Sequence, residues 1–109
     1  MYEIKALIRQ DRVNEVIQAL HELPSMPGIT MSTVRGFGRR RAEEPHTELF
    51  GETEMAKLET VVPEGLADQV VAAIAAQGRT GRAGDGKIFV IPVARAVRVR
   101  SGESGEAAL

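Results

Sequence analysis

The chain has 109 residues with 14 basic and 15 acidic side chains, and this balance gives no overall positive charge that would hold a nucleic acid. Hydrophobic residues make up 43% and charged residues 27%, the composition of one globular domain over residues 1–109, which argues against disorder and against a membrane span. There is no cysteine and only His21 and His46 carry imidazole, so a disulfide framework and a structural zinc site are excluded. The first residues show no signal-peptide pattern, and we expect a cytoplasmic protein.

The first half of the chain reads as strand, helix, strand. Apolar residues alternate with polar residues from Tyr2 to Arg9, which is the period of a strand. Asp11 is a candidate N-cap for the helix that follows, whose apolar residues recur at helical spacing until Pro24. A second strand is expected over about 29–35.

The second half repeats this order after a polar interval. Residues 56–62 alternate with the period of a third strand, Pro63 can open the next helix, and Gly78 stands where a left-handed C-terminal residue is expected. Residues 88–93 read as the fourth strand. Two βαβ units predict an α+β, ferredoxin-like fold, with a four-stranded antiparallel sheet and both helices on one face.

The sheet face without helices predicts self-association. Apolar side chains such as Leu7 and Val61 would point outward from this face, and further copies of the chain are the simplest cover for them. Spacing alone leaves the number of subunits open.

A glycine-rich loop, Gly81 to Lys87, precedes the fourth strand. It matches the G-x-x-x-x-G-K part of a P-loop, but Ile88 stands where the Mg²⁺-binding hydroxyl belongs, and a strand follows in place of a helix. The motif therefore predicts a simpler phosphate-binding loop, in which glycine backbone and Lys87 hold phosphates. A plain turn at Asp85–Gly86 before a strand explains the same residues and stays open.

Two arginine clusters extend the phosphate hypothesis. Gly36-Phe37-Gly38 precedes Arg39 to Arg41 at the end of the second strand, where a ligand edge competes with a solvated turn. Arg98 and Arg100 alternate with valines, so a strand there would bury the valines and present both guanidinium groups as a phosphate clamp. A charged edge strand is the alternative. No Ser/His/Asp arrangement or carboxylate pair predicts catalysis.

The order of elements and four short motifs resemble the PII signal-transduction family over nearly the whole chain. The motifs are Gly36-Phe37-Gly38-Arg39, His46-Thr47-Glu48-Leu49, Thr80-Gly81 with Gly84-Asp85-Gly86-Lys87-Ile88-Phe89, and Arg98-Val99-Arg100-Ser101-Gly102-Glu103. The C-terminal motifs occur in the family's order and spacing, which makes this part of the resemblance highly specific.

The resemblance implies a homotrimer that binds ATP or ADP in clefts between neighbouring subunits. It divides the domain into a T-loop (40–57), a nucleotide loop (79–87) and a C-terminal loop (98–109). The nucleotide loop and the C-terminal arginines would form one half of the site, and residues 36–39 would close the cleft from the facing side. The implied nucleotide-binding residues are Leu7, Thr30 and Val61 near the adenine, Gly84, Asp85, Gly86, Lys87, Arg98 and Arg100 at the phosphates, Gly36, Phe37, Gly38, Arg39 and Arg40 at the cleft edge, and Ser101 in place of a threonine.

Departures from the family pattern concentrate in residues 40–57, which correspond to the loop through which PII proteins meet their targets. Arg40 replaces a glutamine that helps hold Mg²⁺ and 2-oxoglutarate, and Met55 falls on a lysine that contacts 2-oxoglutarate. An arginine cannot supply a metal-binding carbonyl, so binding of Mg²⁺ and 2-oxoglutarate is in doubt and no metal ligand is predicted. The loop is shorter than in typical members, and Tyr2 is the only tyrosine, so uridylylation of the loop does not carry over.

The resemblance implies a regulator and not an enzyme. It would sense ATP or ADP and would order or release residues 40–57 onto a protein target, in nitrogen regulation or a related process. A membrane transporter is one class of target that the resemblance implies. The alternatives are slow hydrolysis of ATP, with Glu59 orienting a water, and a ferredoxin-like sensor of another small molecule, which leaves Lys87, Arg98 and Arg100 unexplained.

Overall fold

The computed structural model of the protein describes residues 1–39 and 50–109. The strands are β1 (Tyr2–Arg9), β2 (Thr30–Arg39), β3 (Phe50–Val62) and β4 (Lys87–Pro92), and the α-helices are α1 (Val13–His21) and α2 (Glu64–Gly78). Short 3₁₀ helices lie at Gln10–Arg12 and Gly105–Ala108.

These strands form an antiparallel sheet in the order β2-β3-β1-β4. β1 lies between β3 and β4, where Ile4 has Thr60 on one side and Val90 on the other. Each half of the chain contributes one strand–helix–strand unit, and the two central strands are the first strands of these units. The predicted α+β, ferredoxin-like fold is confirmed.

The core lies between one face of the sheet and the two helices. Every second residue of β1 and of the C-terminal half of β3 points into it, as the alternation in the sequence predicted. The side chains with at most 2% exposure are Ile4, Ala6, Ile8, Ala56, Leu58 and Val62 from the sheet and Val16, Leu20, Val70 and Ile74 from the helices. Burial of one aliphatic side chain contributes about 1.5–3 kcal/mol, so this set fixes which face of each strand meets the helices.

The hairpin of β2 and β3 is longer than the periodicity predicted. β2 continues to Arg39 and β3 begins at Phe50, whereas the predicted strands ended near 35 and began at 56. We call residues 34–39 and 50–55 the outer hairpin. The prediction was wrong here because the strand pattern depends on one buried face, and none of residues 34–38 and 52–55 is buried in a core.

Side chains on the outer hairpin stabilise each other across the strands. Arg35 pairs with Glu52, and its guanidinium carbon lies 5.6 Å from the centroid of the Phe37 ring. Hydrogen bonding to Arg35 lowers the pKa of Glu52, and the same bond raises the pKa of Arg35. The Phe37 ring, which lies between two glycines, is 63% exposed.

The helix ends differ from the sequence prediction in two places. Asp11 lies within the 3₁₀ turn, and Arg12 holds the N-cap position of α1 without a capping side-chain bond. Gly78 is the last residue of α2 and not a left-handed residue after it. It is buried, and a Cβ there would lie 3.5 Å from Cγ2 of Ile8, so packing against β1 accounts for this glycine.

The expected strand around Arg98 and Arg100 is absent from the described part of the chain. Val97 forms an isolated bridge with Ser104, and the chain turns back between them. The amide of Gly102 donates to the carbonyl of Arg98 at 2.8 Å. Val99 is 99% exposed, so the alternation of arginine and valine marks a surface turn and not one buried strand face.

The sheet face without helices carries both apolar and charged side chains. Leu7 and Val61 lie on it and are half-buried in the single chain. Charged side chains lie between them. Lys5 Nζ is 3.6 Å from Glu3 Oε1, and Lys57 Nζ is 3.5 Å from Glu59 Oε1. An interface on this face therefore has to match charges as well as cover apolar side chains.

Candidate functional site

A cavity of about 430 Å³ lies between the outer hairpin and the glycine loop, and we call it the hairpin cavity. It brings together seven of the residues that the sequence predicted to bind nucleotide. These are Leu7, Gly36, Phe37, Gly38, Gly84, Gly86 and Lys87, and the remaining lining residues are Thr53, Met55 and Phe89. One chain therefore places glycine backbone from two distant motifs and one lysine around the same space.

The arrangement within one chain differs from the expected division of the site. Gly36 to Gly38 were expected to close the cleft from the facing side, as the edge of a neighbouring subunit. In the structure they line the same cavity as Gly86 and Lys87 of their own chain, because the outer hairpin is longer than predicted and β1, which carries Leu7, lies beside β4. These two motifs require no second subunit to meet.

Another group of predicted residues lies at a different cavity. Thr30 and Val61, expected near the adenine, line a space of about 410 Å³ together with Glu59 and Leu109, which we call the C-terminal cavity. Arg98 lies near it, since its Nη2 donates to the carbonyl oxygen of Leu109 at 2.8 Å. Within one chain, Thr30 and Val61 thus lie at a different cavity from Leu7, the third predicted adenine position, and from the predicted phosphate residues Gly84, Gly86 and Lys87.

Three glycines in the loop before β4 have backbone conformations that favour glycine. Gly81, Gly84 and Gly86 have φ values of 85°, 88° and 98°. At Gly86 a side chain is also excluded by contact, because a Cβ would lie 1.7 Å from the carbonyl oxygen of Leu7. Close packing of the loop on β1 explains Gly86 whether or not a phosphate approaches it.

The carboxylate of Asp85 holds this loop together. Its Oδ1 accepts hydrogen bonds from Arg9 Nε at 2.8 Å and from the Thr80 hydroxyl at 2.5 Å. Its Oδ2 accepts from the backbone amides of Thr80 and Gly81, both at 2.9 Å. The bonds from Thr80, and after them the bond from Arg9, hold the pKa of the Asp85 carboxyl well below its usual range, so it is ionised at neutral pH.

The side chain of Lys87 is exposed at the hairpin cavity. Among the described residues, no carboxylate lies within ion-pair distance of its ammonium group. A lysine without an internal counter-charge, placed beside glycine backbone, can bind an anionic group as a point charge.

The C-terminal turn contains the last three predicted site residues. Arg98 contacts Leu109 as described above, while Arg100 is exposed. The Ser101 hydroxyl donates to Glu103 Oε1 at 3.0 Å and accepts from the Glu103 amide at 3.2 Å, which fixes the turn.

Two predicted site residues lie at the far end of the hairpin. Arg39 is the last residue of β2, and Arg40 lies outside the described residues.

Sequence reasoning missed two residues that shape the loop, Arg9 and Thr80. Thr80 stands five residues before Asp85 in the same motif, so its spacing could have indicated a side chain that bonds back to the loop. Arg9 is 76 positions from Asp85, and no local pattern shows that the end of β1 meets this loop. Pairing of β1 with β4 is what brings them together.

Comparison with known proteins identifies the family. The family model described as Nitrogen regulatory protein P-II matches residues 1–103. The chain belongs to this family. It is 41% identical to the P-II protein of Haemophilus influenzae over 116 residues, covering all of both chains, and 40% identical to P-II 1 of Escherichia coli K12 over the same length and coverage. The P-II protein of Azospirillum brasilense is 41% identical over 112 residues and 96% of each chain.

The fold comparison agrees with this assignment. The crystal structure of Arabidopsis thaliana PII bound to citrate matches with a TM-score of 0.81 and 38% identity, over 99% of this chain and 91% of that one. The relatives are named as regulatory proteins, which confirms the prediction that this P-II chain is a regulator and not an enzyme.

Two further findings concern the described residues of this P-II chain. None of its helices is long and apolar enough to cross a membrane. The described residues contain no group of three or more histidine, aspartate or glutamate side chains arranged to hold a metal ion.

Proposed function

We propose that this P-II protein is a homotrimeric regulator that binds ATP or ADP, with the nucleotide phosphates at the hairpin cavity. The observation that carries the proposal is the convergence of Gly36 to Gly38, Gly84, Gly86 and Lys87 on one cavity of a single chain. Exposed glycine backbone and a lysine that has no ion pair among the described residues suit a polyphosphate.

The site is completed between subunits. Thr30 and Val61 lie at the C-terminal cavity of the same chain, together with the contact between Arg98 and Leu109. We propose that the C-terminal cavity of one subunit adjoins the hairpin cavity of the next, so that each nucleotide is held by residues of two chains. Packing of the open sheet faces around a three-fold axis would bring such edges together.

Signalling follows from the position of the hairpin cavity beside the outer hairpin. The cavity is lined by Gly36, Phe37 and Gly38 of β2 and by Thr53 and Met55 of β3, the two strands that lead into residues 40–49. A nucleotide that touches these strands in only one phosphorylation state can bias the connecting segment toward or away from a protein target. A membrane transporter is one class of target for this segment.

Effector requirements differ from those of a regulator that needs 2-oxoglutarate. Met55 lines the hairpin cavity, and its thioether offers a dicarboxylate no positive charge. We therefore expect nucleotide to bind without 2-oxoglutarate. Glu59, the candidate for water activation in the enzyme alternative, is instead paired with Lys57 at 3.5 Å.

Titration calorimetry with ATP, ADP and AMP tests nucleotide binding. We expect ATP and ADP to bind in the absence of 2-oxoglutarate and AMP to bind more weakly, because it lacks the outer phosphates. Absence of heat with all three nucleotides at millimolar concentration would contradict the proposal. Release of phosphate at a steady, rapid rate would favour the enzyme alternative.

Mixed trimers test whether the site lies between subunits. Lys87→Ala and Arg98→Ala would each lose affinity as homotrimers. If the two residues come from different subunits, mixing them by unfolding and refolding creates some sites with both defects and some with neither, so part of the binding returns. Mixing that restores no binding would place Lys87 and Arg98 in sites within one subunit and would contradict the arrangement.

A further inference from the structure

We propose that Asp85 is a positioning residue of the nucleotide site and not a ligand of phosphate or metal. The inference rests on the proposed nucleotide binding. The Asp85 carboxylate joins Arg9 to the start of the loop at Thr80 and Gly81. In this role it presents the backbone of Gly84, which lines the hairpin cavity, to the anion.

All the acceptor positions of the Asp85 carboxylate are already occupied. Each oxygen of Asp85 accepts two hydrogen bonds, from Arg9 and the Thr80 hydroxyl at one oxygen and from the amides of Thr80 and Gly81 at the other. A carboxylate has about four lone-pair sites. A metal ion would have to displace at least one of these donors, and a phosphate would be repelled by the charge.

The side chain of Asp85 lies outside the hairpin cavity. Asp85 lines an adjoining cavity of about 300 Å³, which shares Leu7, Gly86 and Lys87 with the hairpin cavity, but Asp85 itself does not line the hairpin cavity. Gly84 and Gly86, its neighbours on both sides, do line the hairpin cavity. The backbone of this segment therefore faces the proposed phosphates while the carboxylate lies elsewhere.

The backbone amides of the loop fall into two groups, those that are bonded within the loop and those that are not. Those of Thr80 and Gly81 donate to Asp85, and the amide of Arg82 donates to the Thr80 hydroxyl at 3.1 Å. In the described part of the chain, the amides of Ala83 and Gly84 donate to no acceptor. The amides of Thr80 to Arg82 thus close the loop, and those of Ala83 and Gly84 can donate to a bound anion.

Arg9 sets the orientation of one of these later amides. Its Nη2 donates to the carbonyl oxygen of Ala83 at 2.5 Å while its Nε is bound to Asp85. In a trans peptide the carbonyl and the next N–H point in opposite directions. The amide of Gly84 is therefore turned away from Arg9, and Asp85 stabilises this orientation by fixing the guanidinium.

Asp85→Asn should change ATP affinity in the direction opposite to the one that its change of charge alone predicts. Removing a negative charge close to a polyphosphate site strengthens anion binding when nothing else changes. If Asp85 positions the loop, Asp85→Asn weakens ATP binding instead, by roughly tenfold, the loss expected when one charge-assisted hydrogen bond fails. If Asp85 were a metal ligand, the loss would occur only with Mg²⁺ present.

The experiment measures ATP affinity by calorimetry with Mg²⁺ and with EDTA. Asp85→Asn is compared with Asp68→Asn, which makes the same charge change at an exposed site on α2. We expect weaker binding for Asp85→Asn in both buffers and unchanged binding for Asp68→Asn. Unchanged or tighter binding by Asp85→Asn, or a loss confined to the Mg²⁺ buffer, would overturn the inference.

A second pair of variants keeps the test valid if Asp85→Asn does not fold. Thr80→Ser retains the hydroxyl that bonds to Asp85, and Thr80→Val removes it at similar volume. Positioning predicts that Thr80→Ser binds ATP nearly as the natural protein does, while Thr80→Val is roughly tenfold weaker. Equal affinity in the two variants would overturn the inference.

Hydrogen exchange without nucleotide separates this inference from the proposed function. The amides of Thr80 and Gly81 donate to Asp85, so their exchange should accelerate at least about tenfold in Asp85→Asn while the amides of β1 stay protected. Unchanged exchange would show that Asp85 does not order the loop. If the natural protein binds no nucleotide, the proposed function fails, but this measurement still decides whether Asp85 positions the loop.

Discussion

Arg9 Nε donates to Asp85 Oδ1 at 2.8 Å and joins the last residue of β1 to a loop 76 positions further along the chain. Both side chains are 24% exposed, so water screens this ion pair only partly. The loop between α2 and β4 is thereby attached to the centre of the sheet, and the backbone that faces the hairpin cavity has a fixed support.

Acid should lower the stability of the natural protein, because protonation of Asp85 removes its ion pair with Arg9. The folded state holds the pKa of Asp85 below its ordinary value of 3.8, so the pair stabilises the fold above about pH 4 and progressively less as the pH falls below it. We expect the difference in melting temperature between the natural protein and Asp85→Asn to be largest near neutral pH and to shrink in acid. A difference that grows as the pH falls would contradict the assignment of the charged form.

Gly86→Ala should destabilise the protein more than another glycine substitution. Gly86 has a φ of 98°, and an added Cβ would lie 1.7 Å from the carbonyl oxygen of Leu7. We therefore expect a loss of about 1–3 kcal/mol in the free energy of unfolding or a displaced loop. Gly28→Ala is the control, since a Cβ there meets no atom within 4 Å. Urea unfolding measures both, and equal effects would refute the contact.

Leu20→Ala should cost about 2–5 kcal/mol of unfolding free energy, because this side chain of α1 is fully buried against the sheet. Val99→Ala removes an apolar side chain that is 99% exposed and should change stability by less than about 0.5 kcal/mol. Thermal unfolding distinguishes the two. A large effect of Val99→Ala would show that the C-terminal turn is covered in the assembled protein.

Charge reversal on the open sheet face should prevent assembly. Lys5 lies opposite Glu59 and near Glu3, so Lys5→Glu places three carboxylates close together on the face proposed to meet its copies. We expect sedimentation to give a mass near three times 11.8 kDa for the natural protein and a smaller mass for Lys5→Glu. Arg79→Glu, an exposed change outside the sheet, is the control, and an intact trimer in Lys5→Glu would place the interface elsewhere.

Much of the fold could be predicted from the sequence because it depends on burial. The alternation from Tyr2 to Arg9 reappears as Ile4, Ala6 and Ile8 buried under the helices. The outer hairpin could not be predicted, since Arg35 and Glu52 pair across it without a core to impose a period. Its length depends on contacts between strands, which local patterns do not contain.

The candidate site was predictable in its residues and less so in its arrangement. The motif that ends in Lys87 indicated a glycine loop, and the structure shows positive φ values at its glycines. The motif did not show that the side chain of Asp85 closes the loop, because that depends on Arg9 from another strand. The valines beside Arg98 resembled a strand, but the turn at Gly102 breaks it.

The central claim is that Lys87 binds the outer phosphates of an adenine nucleotide at the hairpin cavity. The most direct test is the ratio of ATP affinity to AMP affinity, measured by calorimetry for the natural protein, for Lys87→Ala and for Arg95→Ala as an exposed cation outside the nucleotide loop and the hairpin cavity. Loss of one charge-assisted contact should lower ATP affinity by roughly tenfold or more in Lys87→Ala and leave AMP nearly unchanged, so the ratio falls. An equal loss for ATP and AMP, or an unchanged ratio, would contradict the claim.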